Sequence, residues 1–227
     1  MMYRIYAIAA AVMWGGAAAH AQDTTMSPSV RPEIAFAIGA AFPQGNFNRD
    51  VDAGLDGYIR FSFPVKPSAG FSLVAMGGGT DFKAQKKGSI IDTTLGTFTE
   101  ASQNLDYRAA QAYFGFQWTG AWETGRLRPR VALSAGPNWI ETKSEVTVDG
   151  ALVDSLTQTS EQTRVGLRIQ LGSDWVLRNN IGLTFEFKLD HVFNVVQYEV
   201  SDGTGPVSTE QKSVAYISIL AGLVFPL

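Results

Sequence analysis

Several residue types that commonly carry protein function are absent or scarce in this sequence of 227 residues. There is no cysteine, which excludes disulfide bonds, thiol nucleophiles, cysteine-ligated metals and a lipid-modified N-terminal cysteine. The two histidines, His20 and His191, are too few for a histidine-rich metal site. With 18 basic against 21 acidic residues, the chain also lacks the basic excess of a nucleic-acid-binding protein. We therefore expect no metal, no other cofactor and no nucleic-acid partner.

The N-terminal residues have the three parts of a secretory signal peptide. Arg4 supplies a positive charge, an apolar stretch follows, and Ala19-His20-Ala21 fits an A-x-A cleavage site. We predict a signal peptide over residues 1–21, a short periplasmic lead over 22–32 and one membrane domain over 33–227. An uncleaved N-terminal membrane anchor is the alternative, although the apolar stretch is short for a helix that spans a bilayer.

Long apolar runs are lacking after this segment, where no stretch has the roughly 20 apolar residues of a membrane-spanning helix. Apolar and polar residues alternate instead. From Ile181 to Leu189 every odd-numbered residue is apolar, whereas the even positions that follow Thr184 are Glu186, Lys188 and Asp190. Because successive side chains of a strand point to opposite faces, such a strand has one apolar and one charged face.

Eight segments show this alternation, and each is close to the roughly 9–11 residues of a tilted transmembrane strand. Short connections alternate with longer ones, which is typical of outer-membrane barrels with short periplasmic turns and long extracellular loops. The sequence predicts an all-β fold, an eight-stranded antiparallel up-and-down transmembrane β-barrel. A soluble sandwich or a lipocalin-like barrel is the alternative, with its apolar faces turned inward. The predicted strands are Glu33–Phe42, Leu55–Phe63, Phe71–Phe82, Tyr107–Thr119, Leu127–Glu141, Thr163–Trp175, Ile181–Val195 and Val214–Phe225.

Four tryptophans have the parity of the apolar faces. Trp118, Trp122 and Trp175 lie near the periplasmic ends of predicted strands, and Trp139 lies near an outer end. Aromatic residues at both membrane interfaces form the girdles of transmembrane barrels. We predict that these four side chains form such girdles, in contact with outer-membrane lipid and lipopolysaccharide.

Two segments carry a family resemblance. Gly39–Phe47 resembles the first strand and loop of many outer-membrane barrel proteins. Ser213–Leu227 resembles the C-terminal signal that the barrel-assembly machinery reads, with its aromatic Phe225 followed by Pro226-Leu227. The chain thus resembles the small eight-stranded barrels of the OmpA membrane domain and OmpX-like group. The resemblance implies a location in the outer membrane and biogenesis with the barrel-assembly machinery as a partner.

Eight charged side chains have inward parity, in a barrel just wide enough to be filled by side chains. We predict a paired polar cluster in which Arg168 lies near Glu186 and Arg164 near Asp190, provided that opposed residue numbers on strands six and seven add to about 354. Basic side chains outnumber acidic ones, so water or loop carboxylates such as Asp56 must contribute. The predicted cluster consists of Arg60, Arg128, Arg130, Arg164, Arg168, Glu186, Lys188 and Asp190.

Two non-enzymatic functions are open. The first is a structural or interaction role, with an extracellular partner bound through loops 83–106, 142–162 and 196–213. Asp149-Gly150 between alternating runs predicts a hairpin ribbon above the membrane, whose strand edges suit pairing with a partner strand. The second is a small, gated, porin-like channel through the polar interior, and we favour a sealed interior over it.

The third function is that of a lipid A-modifying outer-membrane enzyme. His191 lies near the outer end of the seventh predicted strand, the depth at which such barrels carry their catalytic histidine. The deacylase pattern requires a serine two residues later, and this chain has Phe193 there. We therefore predict no catalytic residue and no enzymatic activity.

Overall fold

The computed structural model describes residues 31–49, 51–92, 97–120, 127–148, 151–153, 158–177, 181–199 and 208–227. The predicted signal peptide and Trp122 lie outside the described residues.

Among the residues described, no helix has the length and apolar character needed to cross a membrane.

Eight antiparallel strands form one closed sheet. Each strand pairs with its sequence neighbours, β1 also pairs with β8, and the pairing of β4 with β5 completes the ring. The fold is therefore the predicted all-β up-and-down barrel. The barrel strands are β1 Glu33–Gln44, β2 Gly54–Lys66, β3 Phe71–Asp92, β4 Thr97–Thr119, β5 Leu127–Val148, β6 Gln158–Val176, β7 Gly182–Glu199 and β8 Ser208–Pro226. A further two-residue strand, Ala151–Leu152, folds back on the end of β5.

The barrel wall is apolar outside and charged inside. On β2, Ile59 and Phe61 are 41% and 38% exposed, whereas Arg60 between them is fully buried. The same contrast holds on β7, where Phe185 and Phe187 face outward and Glu186 is buried. A soluble barrel or sandwich would bury the phenylalanines and expose the charges. The soluble alternatives are therefore wrong, and the apolar exterior fits a bilayer.

The strands reach well beyond their predicted ends. β3 and β4 stay paired from Phe71 and Trp118 to Asp92 and Thr97, so most of residues 83–106 is strand and not loop. In the described parts of the predicted loops 142–162 and 196–213, nearly all residues are likewise strand. The alternation of apolar and polar residues fades where the wall leaves the membrane, although the backbone pairing continues. The strand ends inferred from that alternation were therefore too early.

Four of the long strands continue upward as one sheet, which we call the extracellular sheet. It comprises residues 83–92 of β3, 97–109 of β4, 141–148 of β5 and 158–165 of β6. Its two outer strands are β3 and β6, because β2 pairs with β3 only up to Asp81 and β7 pairs with β6 only from Gly166. The predicted continuation of strands five and six is present, and the chain turns back between Val148 and Ala151.

Candidate functional site: the barrel interior

Ten charged side chains fill the middle and the periplasmic half of the barrel, and we call them the charged layer. Five are basic and five are acidic, so their formal charges cancel. Charges removed from water persist when they are paired and hydrogen-bonded, and each of these side chains has an opposite charge within 4.0 Å. The layer consists of Arg60, Arg128, Arg130, Arg168, Lys188, Glu33, Asp56, Asp174, Glu186 and Asp190.

Glu186 is the centre of the group nearer the periplasm. Arg60 donates to its Oε1 over 2.9 Å, and Arg130 donates to the same oxygen. Gln170 donates to the other carboxylate oxygen at 3.1 Å. Asp174 lies beside the same two guanidinium groups, 3.3 Å from Arg130 and 3.8 Å from Arg60. Two carboxylates thus share two arginines contributed by β2 and β5.

The second group lies farther out along the barrel. Arg168 donates through Nε to Asp190 over 2.7 Å, and its guanidinium stacks 4.0 Å above the ring of Tyr113. Lys188 Nζ is 3.1 Å from Asp190 and also contacts Asp56. Ser218 donates a further hydrogen bond to Asp56. The Lys188–Asp56 pair joins β7 to β2, with β8 and β1 between them in the ring, so it braces the barrel across its lumen.

A glycine makes room for one of these packed groups. Gly166 of β6 faces inward, where Asn138 and Tyr113 exchange hydrogen bonds over 3.0–3.1 Å. A Cβ at residue 166 would lie 2.5 Å from Asn138 Nδ2 and closer still to the Tyr113 hydroxyl. A side chain at residue 166 would displace Tyr113, whose ring packs against the Arg168 guanidinium. The interior packing therefore requires glycine at this position.

The outer third of the lumen is apolar, and we call it the apolar chamber. Its aromatic rings pack edge to face, with the Phe82 and Tyr216 centroids 5.2 Å apart. On β7 a bulge between Val192 and Val195, with Asn194 at a φ of 54°, turns both valines inward. The chamber is lined by Ala41, Phe47, Val51, Phe82, Tyr107, Ala109, Ile140, Val192, Val195, Val214 and Tyr216.

Tyr216 joins the two regions. Its ring belongs to the apolar chamber, whereas its hydroxyl lies 3.2 Å from Thr80 Oγ1 and accepts a hydrogen bond from Gln111. Gln111 in turn accepts from Arg168 of the charged layer. The polar network therefore ends at this hydroxyl, and the lumen is apolar beyond it.

Seven of the eight side chains predicted for the polar cluster lie in the charged layer, and Arg164 does not. Arg164 lies at the outer end of the wall, where it donates to the carbonyls of Asn194 at 2.7 Å and Thr163 at 3.2 Å. Glu33 and Asp174, which complete the charge balance with Asp56, were not among the predicted side chains. Asp174 has the same inward parity as Arg168 and Gln170, and this parity could have identified it as an interior side chain.

The predicted pairing between strands six and seven was wrong. Arg168 lies opposite Asp190, and Glu186 lies opposite Gly172. The hairpin closes at Val176 and Gly182, so its midpoint is later than the prediction assumed. A register shift by an even number of residues keeps every side chain on its face of the sheet and changes its cross-strand partner.

The predicted girdle residues within the described part of the chain face outward. Trp139 and Trp175 are each 49% exposed, and Trp118 is half-buried. His191 also faces outward and is half-buried, and its ring packs edge to face on Phe193 with centroids 4.6 Å apart. The parts of the chain that the structure describes contain no group of three or more His, Cys, Asp or Glu suited to a metal ion.

A closed barrel with an apolar belt outside and paired charges inside defines an integral β-barrel protein of the outer membrane. No protein-family model matches the sequence, and no curated protein matches it.

Solved outer-membrane barrels share the fold. OprG of Pseudomonas aeruginosa is 13% identical with a TM-score of 0.50, and the match covers 90% of this chain and 100% of that one. Neisserial surface protein A is 13% identical with a TM-score of 0.47, covering 88% and 98%. The outer membrane protease OmpT from Escherichia coli is 10% identical with a TM-score of 0.49, covering 90% and 99%. At these identities the likeness is one of fold.

Proposed function

We propose that this protein has a structural and interaction role in the outer membrane, in which the extracellular sheet binds an external partner by strand addition. The observation that carries the proposal is the edge of β6 over residues 158–161. This stretch pairs with β5 on one side, and among the described residues no strand pairs with it on the other. An edge strand presents a row of backbone donors and acceptors to an incoming extended chain.

The two edges of the sheet differ in how well they are protected. The β3 edge carries three exposed lysines, Lys83, Lys86 and Lys87, and lysine on an edge strand discourages pairing with another chain. The backbone N–H of Asp52 also donates to the Lys83 carbonyl at 3.0 Å, which occupies part of that edge. Residues 158–165 of β6 contain no lysine and no proline. We therefore assign strand addition to the β6 edge.

A channel is the weaker alternative. Paired side chains occupy the charged layer, and apolar side chains occupy the lumen above it. With five basic and five acidic residues, the charged layer has no net formal charge that would select anions over cations. We expect no regular conductance steps from the purified protein in planar lipid bilayers, and reproducible steps of one size would favour the channel instead.

An enzyme acting on lipid A has less support still. Catalysis by a histidine needs an oriented hydrogen-bonding neighbour and a nucleophile within reach. The His191 ring packs edge to face on the apolar ring of Phe193. Mass analysis of lipid A from cells with and without the protein tests this alternative, and a difference abolished by His191→Ala would revive it.

Strand addition is tested by adding lysines to the free edge. Cells displaying the protein would be compared with empty cells on surfaces coated with fibronectin, laminin or collagen. The double variant Thr159→Lys, Glu161→Lys should lose the adhesion that the wild type shows. The double variant Glu141→Lys, Thr147→Lys is the matched control, because it makes the same two substitutions on β5, where both residues pair with a strand on each side.

Heat-dependent migration in SDS gels would verify that each variant still forms a barrel. Equal adhesion by the edge variant and the control would contradict the role of the edge. Adhesion no greater than that of empty cells on every coating would count against the interaction role itself.

A further inference from the structure

The first extracellular loop, of which the structure describes residues 45–49 and 51–53, places two apolar side chains inside the barrel. Phe47, on a short 3-10 turn at Phe47–Arg49, is only 3% exposed, and Val51 is also buried. The Phe47 ring packs edge to face on Phe82 and Tyr107, with centroid distances of 5.2 and 5.1 Å. A loop between β1 and β2 thus fills part of the apolar chamber.

This loop is held differently from the rest of the chamber. The other nine chamber side chains are attached to barrel strands, so they leave the lumen only if the hydrogen-bonded wall opens. The described backbone tie from the loop to the wall is the bond from the Asp52 N–H to the Lys83 carbonyl. Surface loops open locally at much lower free energy than paired strands do. Phe47 and Val51 are therefore the chamber side chains that can leave the lumen while the barrel wall stays closed.

We propose that the first loop is a stopper for the outer lumen, and that the lumen holds two barriers in series. The outer barrier is the apolar chamber with Phe47 in place. The inner barrier is the charged layer, whose pairs link strands across the ring. Displacing the loop admits solutes from outside as far as the charged layer and no farther.

The absence of native cysteine makes each depth of the lumen testable with a single thiol. Val214→Cys places a thiol in the apolar chamber, where Val214 is fully buried. Ser134→Cys places one in the charged layer, since Ser134 lies opposite Arg168 and its hydroxyl has no hydrogen-bond partner among the described atoms. A small, membrane-impermeant methanethiosulfonate would be added from outside to the full-length protein in intact cells.

With the native loop, both thiols should react slowly. Adding Phe47→Ala should speed the labelling of Cys at residue 214 by about tenfold or more, because the lost ring leaves a cavity open to the loop. Labelling at residue 134 should not change. Fast labelling at residue 214 with the native loop, or no acceleration after Phe47→Ala, would overturn the stopper. Equal acceleration at both depths would overturn the second barrier.

Two further variants keep the test interpretable. Phe42→Ala is the matched control, since Phe42 lies near the end of β1 that leads into the first loop and its side chain faces outward. This variant should leave labelling at residue 214 slow. If Phe47→Ala fails to form a barrel by SDS-gel migration, Asp52→Pro replaces it. Proline removes the N–H that binds Lys83 and leaves the chamber side chains intact. A smaller acceleration at residue 214 is expected, and none would contradict the proposal.

Discussion

Side chains occupy both regions of the barrel interior, and the two regions differ in the kind of side chain. In the charged layer each side chain requires a particular partner, as Glu186 requires Arg60 and Arg130. In the apolar chamber, contacts such as those of Phe82 with its neighbouring rings depend on shape and on the exclusion of water. Ion pairs link opposite walls through contacts that require a specific geometry, whereas apolar packing excludes water without such a requirement. Inward parity therefore defines the location of a side chain and leaves its type of interaction open.

Glu186→Ala should be the most damaging single change, because it leaves two buried guanidinium groups short of a carboxylate. Breaking a buried ion pair by removing one partner costs about 3–5 kcal/mol. Asp174 remains near both arginines, so the barrel should still form and unfold at lower urea concentration. Urea unfolding in lipid vesicles, followed by tryptophan fluorescence, measures the difference.

The matched control is a carboxylate on the extracellular sheet. Glu145 forms an ion pair with Lys143 at 2.5 Å, and the side chains of Lys143 and Glu145 are 42% and 34% exposed. Exposed ion pairs contribute little because water and salt screen them, so Glu145→Ala should leave the unfolding midpoint unchanged. A similar loss in both variants would show that burial does not set the value of these pairs.

Gly166→Ala should have an intermediate effect, and it tests how tightly the charged layer is packed. The new methyl group would press on Asn138 and on the Tyr113 hydroxyl. Overpacking a well-filled interior typically costs about 1–3 kcal/mol. The urea midpoint should fall, and Gly77→Ala serves as control, because a Cβ there meets nothing nearer than 3.9 Å. Equal effects would mean that the interior has spare volume at residue 166.

The strand count, the closed ring and the direction of each face followed from the period of two in the sequence. The run from Ile181 to Asp190 illustrates why. A bilayer outside and a narrow lumen inside impose opposite requirements on alternate residues, so the pattern is strong wherever both environments are present. Arg60, Lys188 and Glu186 were identified as interior side chains for this reason.

Register, strand length and loop packing did not follow from the pattern. The partner of Arg168 depends on where the hairpin turns, and a shift by an even number of residues preserves every face. The long ends of β3 and β4 pair in water, where neither face has to be apolar. Phe47 lies in a segment without alternation, and only the folded chain brings it beside Phe82 and Tyr107.

Tyr216→Phe should have the smallest effect, and it separates the two regions within one side chain. The variant keeps the ring that packs on Phe82 and removes the hydroxyl that meets Thr80 and Gln111. Gln111 still donates to Thr80 at 3.1 Å, so its amide keeps one of its two described hydrogen bonds. The loss should be about 0.5–1.5 kcal/mol, as for a typical hydrogen bond. Urea unfolding of this variant and of Tyr216→Ala measures the loss of stability. If the phenylalanine variant loses as much stability as the alanine variant, the hydroxyl and not the ring stabilises the boundary between the charged layer and the apolar chamber.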